Sequence, residues 1–222
     1  MSRPLLHKIA NRALPPSFSE LRQLRLAQDS FRDAGIVFIH VPRTAGLSIT
    51  RAIYHSTVWC HFTLPQLLRH ADKDILELPR FSIVRNPWER TVSAYHFAKR
   101  GGVPDGAQIQ HPERYRGKEF ETFDRFVREY LGHRNVGKLD GVFRPQTYYL
   151  GRESKNSFDY IGDFDRLPET EQWLSETLGR PIRLPKSNST DHLDYRTYYS
   201  DETRDVIARA YRADIEMFGF QF

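Results

Sequence analysis

Two stretches constrain this chain more than any other: Ile36-Val-Phe-Ile-His-Val-Pro-Arg-Thr-Ala-Gly-Leu-Ser-Ile49 and Phe81-Ser-Ile-Val-Arg-Asn-Pro-Trp-Glu-Arg-Thr-Val-Ser-Ala-Tyr95. Each runs from a short apolar segment through a turn carrying an Arg into a helix-like stretch with a hydroxyl on its first turns. Neighbouring strands of that kind deliver cations and helix N-termini to one anionic ligand. Two such sites suit a nucleotide with phosphate at both ends.

In the first stretch, Ile36 to Val41 is rich in β-branched residues and reads as a strand buried on both faces, interrupted by His40. Pro42 stops it, Arg43 to Gly46 make the turn, and Leu47 to Tyr54 are expected to be helical. The first N–H groups of a helix lack intrahelical partners and sit at the positive end of its dipole, so they favour phosphate. Ser48 adds a hydroxyl donor and Arg43 a fixed cation. The G-x-x-x-x-G-K-S/T loop of ordinary nucleotide kinases is absent here, which argues against an ATP or GTP site. Taken alone, a plain strand–turn–helix with a solvated Arg and Ser accounts for these residues equally well.

The second stretch shifts that balance. Arg85 follows the strand-like Phe81 to Val84, and Asn86-Pro87 opens a helix with Pro at its first position. Glu89, Ser93 and Phe97 share one face of that helix, with Arg90 alongside. Arg85 as a bidentate fork and Ser93 as a donor can meet one phosphate. The bland alternative is a surface Arg and an exposed Ser.

Pro42-Arg-Thr-Ala-Gly-Leu-Ser48 resembles the P-K-T-A/G-G-T-S loop of sulfotransferases that use 3′-phosphoadenosine 5′-phosphosulfate (PAPS), and Val84 to Tyr95 resembles their V-R-D/N-P-x-x-R-x-x-S-x-Y signature. The likeness is greatest to the carbohydrate-type branch, with its Golgi glycan sulfotransferases, hexuronic acid 2-O-sulfotransferases and bacterial relatives. Looser echoes are His61-Phe-Thr-Leu-Pro-Gln-Leu67, Phe143-Arg-Pro-Gln-Thr147, Phe158-Asp-Tyr-Ile-Gly162 and Tyr211-Arg-Ala-Asp214 followed by Phe218-Gly-Phe220. The resemblance implies a P-loop-like parallel β-sheet flanked by helices on both faces. It implies that Arg43, Thr44, Ala45, Gly46, Leu47, Ser48 and Ile49 hold the 5′-phosphosulfate, and that Arg85 and Ser93 bind the 3′-phosphate. It implies a glycan or glycolipid acceptor and no metal.

Two departures matter. The family's loop Lys is Arg43 and its Thr before Ser is Leu47. Arg can stabilise charge on a leaving phosphate but cannot give it a proton. Relatives often carry a His just before the F-R-P-Q run, where this chain has Val142.

Composition bounds the remaining possibilities. A chain of 222 residues with 39% hydrophobic and 13% aromatic residues is read as one globular domain, not a disordered segment. The single Cys60 excludes an internal disulfide and is read as a buried, inert thiol. No apolar run approaches the roughly 20 residues needed to cross a membrane, and Met1 to Lys8 lack the apolar core of a signal peptide. Golgi members of the family carry an anchor, so a bacterial-type cytoplasmic enzyme is favoured over a trimmed one. The net charge of +5 is spread among acids, without a basic run or a nucleic-acid-binding motif, so no nucleic-acid partner is expected.

Along the chain, residues 1–34 read as an N-terminal helical extension, helical from Phe18 to Asp33, with Leu21, Leu24 and Phe31 turned to the core. Val58 to Phe62 is short and apolar, and Thr63 is placed to cap a helix through Leu68. Gly101 to Lys118 is Gly/Pro-rich and long for a connection, either an acceptor-binding loop or lid or a solvated surface loop. Glu121 to Leu131 carries a helical core stripe of Phe123, Phe126, Val127 and Tyr130. Phe158 to Gly162 is a strand candidate; Glu169 to Leu178 and Asp201 to Met217 are helix candidates, the last capped by Ser200. Strands alternating with helices argue for a parallel sheet covered on both faces.

Sulfuryl transfer needs an in-line hydroxyl, charge stabilisation on the leaving phosphate and a base. His titrates near neutrality, so a His base makes the rate rise with pH through the mid-range. Of nine His residues, His61 is the candidate base, shortly after the phosphate-loop helix, where the branch often places one; packing alone is the bland account. His40 reads as a hydrogen-bonded core residue, His96 can face either way, and Glu89 or a loop acid is the substitute base. The signal that Lys186 to Asn188 approach the nucleotide is too weak to assign them a role. Two rival functions stay open: a P-loop kinase, recognised by a magnesium requirement, and a nucleotide-binding module that never sulfates an acceptor.

Overall fold

The computed structural model describes residues 16–54, 61–103, 107–109, 111–151, 155–185 and 194–222. Cys60, the Val58 end of the short apolar stretch, and Lys186 to Asn188 lie outside the described residues; His61 and Phe62 are not in a strand.

The order of elements follows the alternation of apolar runs and capped helices. Helix α1 (Pro16–Ala34) leads into strand β1 (Val37–Phe38) and helix α2 (Gly46–Tyr54). Helices α3 (Leu64–His70) and α4 (Lys73–Leu76) precede strand β2 (Arg80–Val84) and helix α5 (Pro87–Arg100). A short helix α6 (Phe123–Arg125) runs on as a π-helical turn over Phe126–Leu131, followed by α7 (Gln146–Leu150), strand β3 (Tyr160–Asp163) and α8 (Leu167–Leu178). Helices α9 (Asp201–Ala210) and α10 (Arg212–Phe218) close the chain.

The three strands form one parallel sheet in the order β1-β2-β3. Register pairs Phe38 with Phe81, and Phe81 with Tyr160. Four consecutive residues of β2, Phe81 to Val84, are buried. Since side chains alternate across a strand, both faces of the sheet are covered. The architecture is therefore the α/β, P-loop-like parallel sheet with flanking helices. Regular β1 is shorter than the apolar run that forms it, although Ile36 to Ile39 and Val41 are all fully buried. The open edge of β1 is closed by one hydroxyl: Tyr54 donates to the Ile36 carbonyl at 3.1 Å and accepts from the Phe38 N–H at 3.0 Å. That contact pins the far end of α2 to the strand that precedes it.

Helix α1 is not an appendage. Leu24, Ala27 and Phe31 are buried in the sheet core, with Phe31 against Tyr54 and Phe62, whereas Leu21 is only half-buried. A second, mainly aromatic core gathers Trp88, Tyr95, Phe97, Tyr115, Phe120, Phe123, Phe126 and Phe143. Part of the Gly101 to Lys118 segment joins it. Gly102 and Gln108 form an antiparallel bridge, Tyr115 is buried, and its hydroxyl meets the Asp140 carboxylate.

Local capping chemistry set three helix starts. Thr63 and Gln66 make a reciprocal capping box, Asn86 accepts from the Trp88 N–H with Pro87 behind it, and Ser200 caps α9. The expected continuous helix to Met217 is broken at Tyr211, whose backbone leaves the helical region at φ −113°, ψ 26°. The Tyr211 hydroxyl donates to the Phe143 carbonyl at 2.7 Å, so a tertiary contact accompanies the break. Among the described residues no helix is long and apolar enough to cross a membrane.

Candidate active site

The turn after β1 is strained. Arg43 (φ 73°) and Ala45 (φ 60°) both occupy left-handed backbone without being Gly, a conformation that costs on the order of 1 kcal/mol each and concentrates at functional turns. Thr44, fully buried between them, donates to the Val41 carbonyl at 2.8 Å and ties the turn to the strand end. Gly46 then begins α2, where Ser48 and Ile49 are buried and Leu47 is half-buried. The first amides of α2 thus lie at the carboxyl end of the sheet, at the positive pole of the helix.

The second arm starts at the same sheet end. Arg85 leaves β2, its guanidinium stacked 3.9 Å over the Phe164 ring and its Nη1 donating to the Arg43 carbonyl at 3.2 Å. Nη2 pairs with Glu89 at 2.6 Å, while Nε is buried and, among the described residues, without a hydrogen-bond partner. On the Nε–Nη2 edge, the one a phosphate takes bidentately, Nε is therefore unpaired among the described residues and Nη2 is held by a carboxylate. Ser93, buried one turn beyond Glu89, accepts from Arg43 Nε at 3.0 Å, and the Arg43 guanidinium lies 4.7 Å from the Phe97 ring. Its own O–H remains a donor. The sequence assigned Arg43 to the 5′ end of a ligand and Ser93 to the 3′ end. The structure puts the two in direct contact, so the arms form one continuous surface.

That surface is short of negative charge. Burial, then repulsion from Arg85, Arg100 and Arg90, lowers the Arg43 guanidinium to about 10, and it stays charged at neutral pH. Among the described residues no carboxylate pairs with it. An anion entering beside Arg43 and Arg85 relieves the repulsion and offers an acceptor to these guanidiniums, so the residues fit an anionic ligand. Among the described residues no group of three or more His, Cys, Asp or Glu is placed to hold a metal ion.

His61 and His40 stack with ring centroids 4.3 Å apart. His61 Nδ1 lies 3.3 Å from the His40 carbonyl. A carbonyl only accepts, so Nδ1 carries the proton and Nε2 is the basic nitrogen of the neutral ring. Burial draws His61 down to about 4 against the opposing effect of that hydrogen bond. Burial, followed by the charges of His61 and Arg43, holds His40 well below its usual value. His61 therefore does not titrate in the mid-range expected from sequence.

His40, read as a hydrogen-bonded core residue, is packed against the phosphate turn. A Cβ built on Gly46 would lie 1.8 Å from its Nε2, so the imidazole rests directly on the first residue of α2. Gly is needed there because a ring occupies the space, not because of its backbone angles. Phe38 and His61 both stack on the ring and oppose its displacement. Gly46→Ala is expected to lower stability by about 1–3 kcal/mol, read as a denaturant midpoint. A parent-like midpoint would show that the ring moves freely.

Other residues of the site were not visible from spacing. Arg90 looked like a neighbour of the phosphate-facing helix face. It is buried, donating to the carbonyls of Pro42 (3.1 Å), Val142 (3.3 Å) and Arg144 (2.6 Å). It buttresses the turn from behind. Glu89, the substitute base, pairs with Arg85 through Oε1, and its Oε2 is buried with no partner among the described residues. His96 packs in T-shaped contact with Tyr95 and Tyr198, with centroids at 5.0 and 5.5 Å.

No curated protein and no solved structure matches this chain. The model of the Sulfotransferase family matches residues 30–221. The match runs from the last turns of α1 to the penultimate residue and takes in both strand–turn–helix arms. The chain belongs to the sulfotransferase family, enzymes that move a sulfuryl group onto an acceptor.

Proposed function

We propose that the chain transfers the sulfuryl group of PAPS to a hydroxyl of a glycan or glycolipid, as a member of the carbohydrate-type, hexuronic 2-O-sulfotransferase-like branch. The observation that carries the donor assignment is the surface joining Arg43, Arg85 and Ser93, which gathers guanidinium groups where, among the described residues, Arg43 has no carboxylate partner. The acceptor class rests on the signature Val84 to Tyr95 and on the looser echoes beyond it.

In this reading the residues from Arg43 to Ile49 wrap the 5′-phosphosulfate, and Arg85 with Ser93 grips the 3′-phosphate, displacing Glu89 from Arg85. His61 Nε2 takes the acceptor proton as the acceptor oxygen bonds to sulfur. The bond from sulfur to the bridging phosphate oxygen breaks, and its electron pair leaves on the 5′-phosphate. Arg43, Ser48 and the first amides of α2 hold that charge, which is larger in the transition state than in the ground state. The segment from Gly101 to Lys118 shapes the acceptor side.

Calorimetry with 3′,5′-ADP against 5′-AMP tests the donor assignment. The 3′-phosphate is expected to contribute about 2–3 kcal/mol, the scale of a charge-assisted bidentate contact. Arg85→Ala should remove the same amount, and the two losses should not add because they delete one interaction. Equal affinity for the two nucleotides would sink the assignment. Incubating acceptor pools with radiolabelled donor sulfate then identifies the acceptor.

A further inference from the structure

Two of the looser sequence echoes, Phe143 to Thr147 and Tyr211 to Asp214, meet behind Arg85. At the point where Arg85 leaves the sheet, the side chain of Gln146 takes the place of a neighbouring strand. Its Oε1 accepts from the Arg85 N–H at 2.9 Å, and its Nε2 donates to the Arg85 carbonyl at 2.8 Å. A primary amide is the side chain that offers an acceptor and a donor side by side. Gln146 is fully buried, so neither backbone group of Arg85 has water as a ready substitute.

Gln146 is itself held. Asp214, fully buried in α10, accepts from the Gln146 N–H at 2.7 Å and from the Thr147 N–H and hydroxyl at 2.8 Å each. The carboxylate thereby caps the N-terminus of α7 from a helix near the chain's end. Arg90, one turn along α5, grips the backbone of Val142 and Arg144 in the same segment and Pro42 in the phosphate turn. Both arginines of the second stretch are thus referred to one buried frame.

We propose that Gln146, backed by Asp214, is a positioning residue that fixes the backbone of Arg85 so that its guanidinium meets the 3′-phosphate. This rests on the reading that Arg85 binds that phosphate. Neither Gln146 nor Asp214 touches the ligand. Their effect should therefore fall on the contribution of the 3′-phosphate and spare the rest of the nucleotide.

The test is the ratio of affinities for 3′,5′-ADP and 5′-AMP, measured by calorimetry on the full chain. Gln146→Leu is expected to shrink the parent's ratio by about 10- to 100-fold, the size of effect of a slight misplacement of a binding group, with 5′-AMP affinity within about twofold of the parent's. The KM for the donor should rise by more than kcat falls. Should Gln146→Leu not fold, Gln146→Glu serves, since it keeps the shape and the acceptor but cannot donate to the Arg85 carbonyl. Its ratio should also fall. A parent without any 3′-phosphate preference refutes the donor reading and this inference with it. A parent with the preference and a folded variant that keeps it overturns the inference alone, as does a variant that loses both nucleotides equally.

Discussion

Replacing Arg43 by Ala is expected to lower turnover by a factor on the order of 100 or more, the usual cost of losing one charge-stabilising donor. Its place in the strained turn after β1 motivates that size, because the charge is already desolvated and surrounded by other guanidiniums. A cation kept in such surroundings contributes little to the stability of the free protein. The folded state lowers the Arg43 pKa, so it disfavours the charged form. Against this stand the Ser93 hydrogen bond and the Phe97 contact. Arg43→Ala should therefore lose turnover with no matching fall in Tm. Arg43→Lys retains the charge and the same backbone strain, and much of the turnover should remain. Its single ammonium cannot both reach Ser93 and lie flat on Phe97, so the donor KM should rise several-fold. An Ala variant with parent turnover would end the assignment, and one that fails through lost stability would make Arg43 structural.

What could be read from the residues was what local chemistry determines. Thr63 with Gln66, Asn86 with Pro87, and Ser200 each start a helix through contacts within a few residues, so the signal lies within a short window. The two apolar runs became neighbouring strands because β-branched residues followed by a turn allow few alternatives. The unread part is long-range. Nothing near Arg90 indicates that its partners are carbonyls of Val142 and Arg144, and nothing near Gln146 points to Arg85 or Asp214. Gly46 reads as a loop Gly, and only the fold shows the His40 ring filling the space of its missing side chain. The π-helical turn at Phe126 to Leu131 is hidden for a related reason. Its apolar stripe fits an α-helix equally well, and a core of packed aromatic rings accompanies the wider turn.

The same burial that hides a residue's role also alters its chemistry, and His61 is the case with the largest expected consequence. A base acting only on the acceptor proton contributes to the transition state and little to donor affinity. His61→Ala should bind 3′,5′-ADP like the parent while losing roughly 100- to 10,000-fold in turnover. Where it falls in that range depends on basicity. In the free protein His61 sits at about 4, deprotonated at neutral pH but a weak acceptor of protons. The phosphate charges of a bound donor favour the imidazolium and raise that value, so basicity improves when the donor is in place. The sign follows: the base works unprotonated, so rate rises with pH through its pKa. For kcat/KM, which reports the free enzyme, the rising limb should lie near pH 4; for kcat it should lie higher. In His61→Ala the limb should be absent from both. A loss near 100-fold would indicate that the bound donor leaves His61 weakly basic, and a loss near 10,000-fold that it restores a pKa close to neutrality. If His61→Ala instead abolished nucleotide binding or unfolded the protein, the residue would be structural. The candidate base would then be Glu89, which in this reading the 3′-phosphate releases from Arg85, or a loop carboxylate. Turnover at the parent level would exclude His61 altogether.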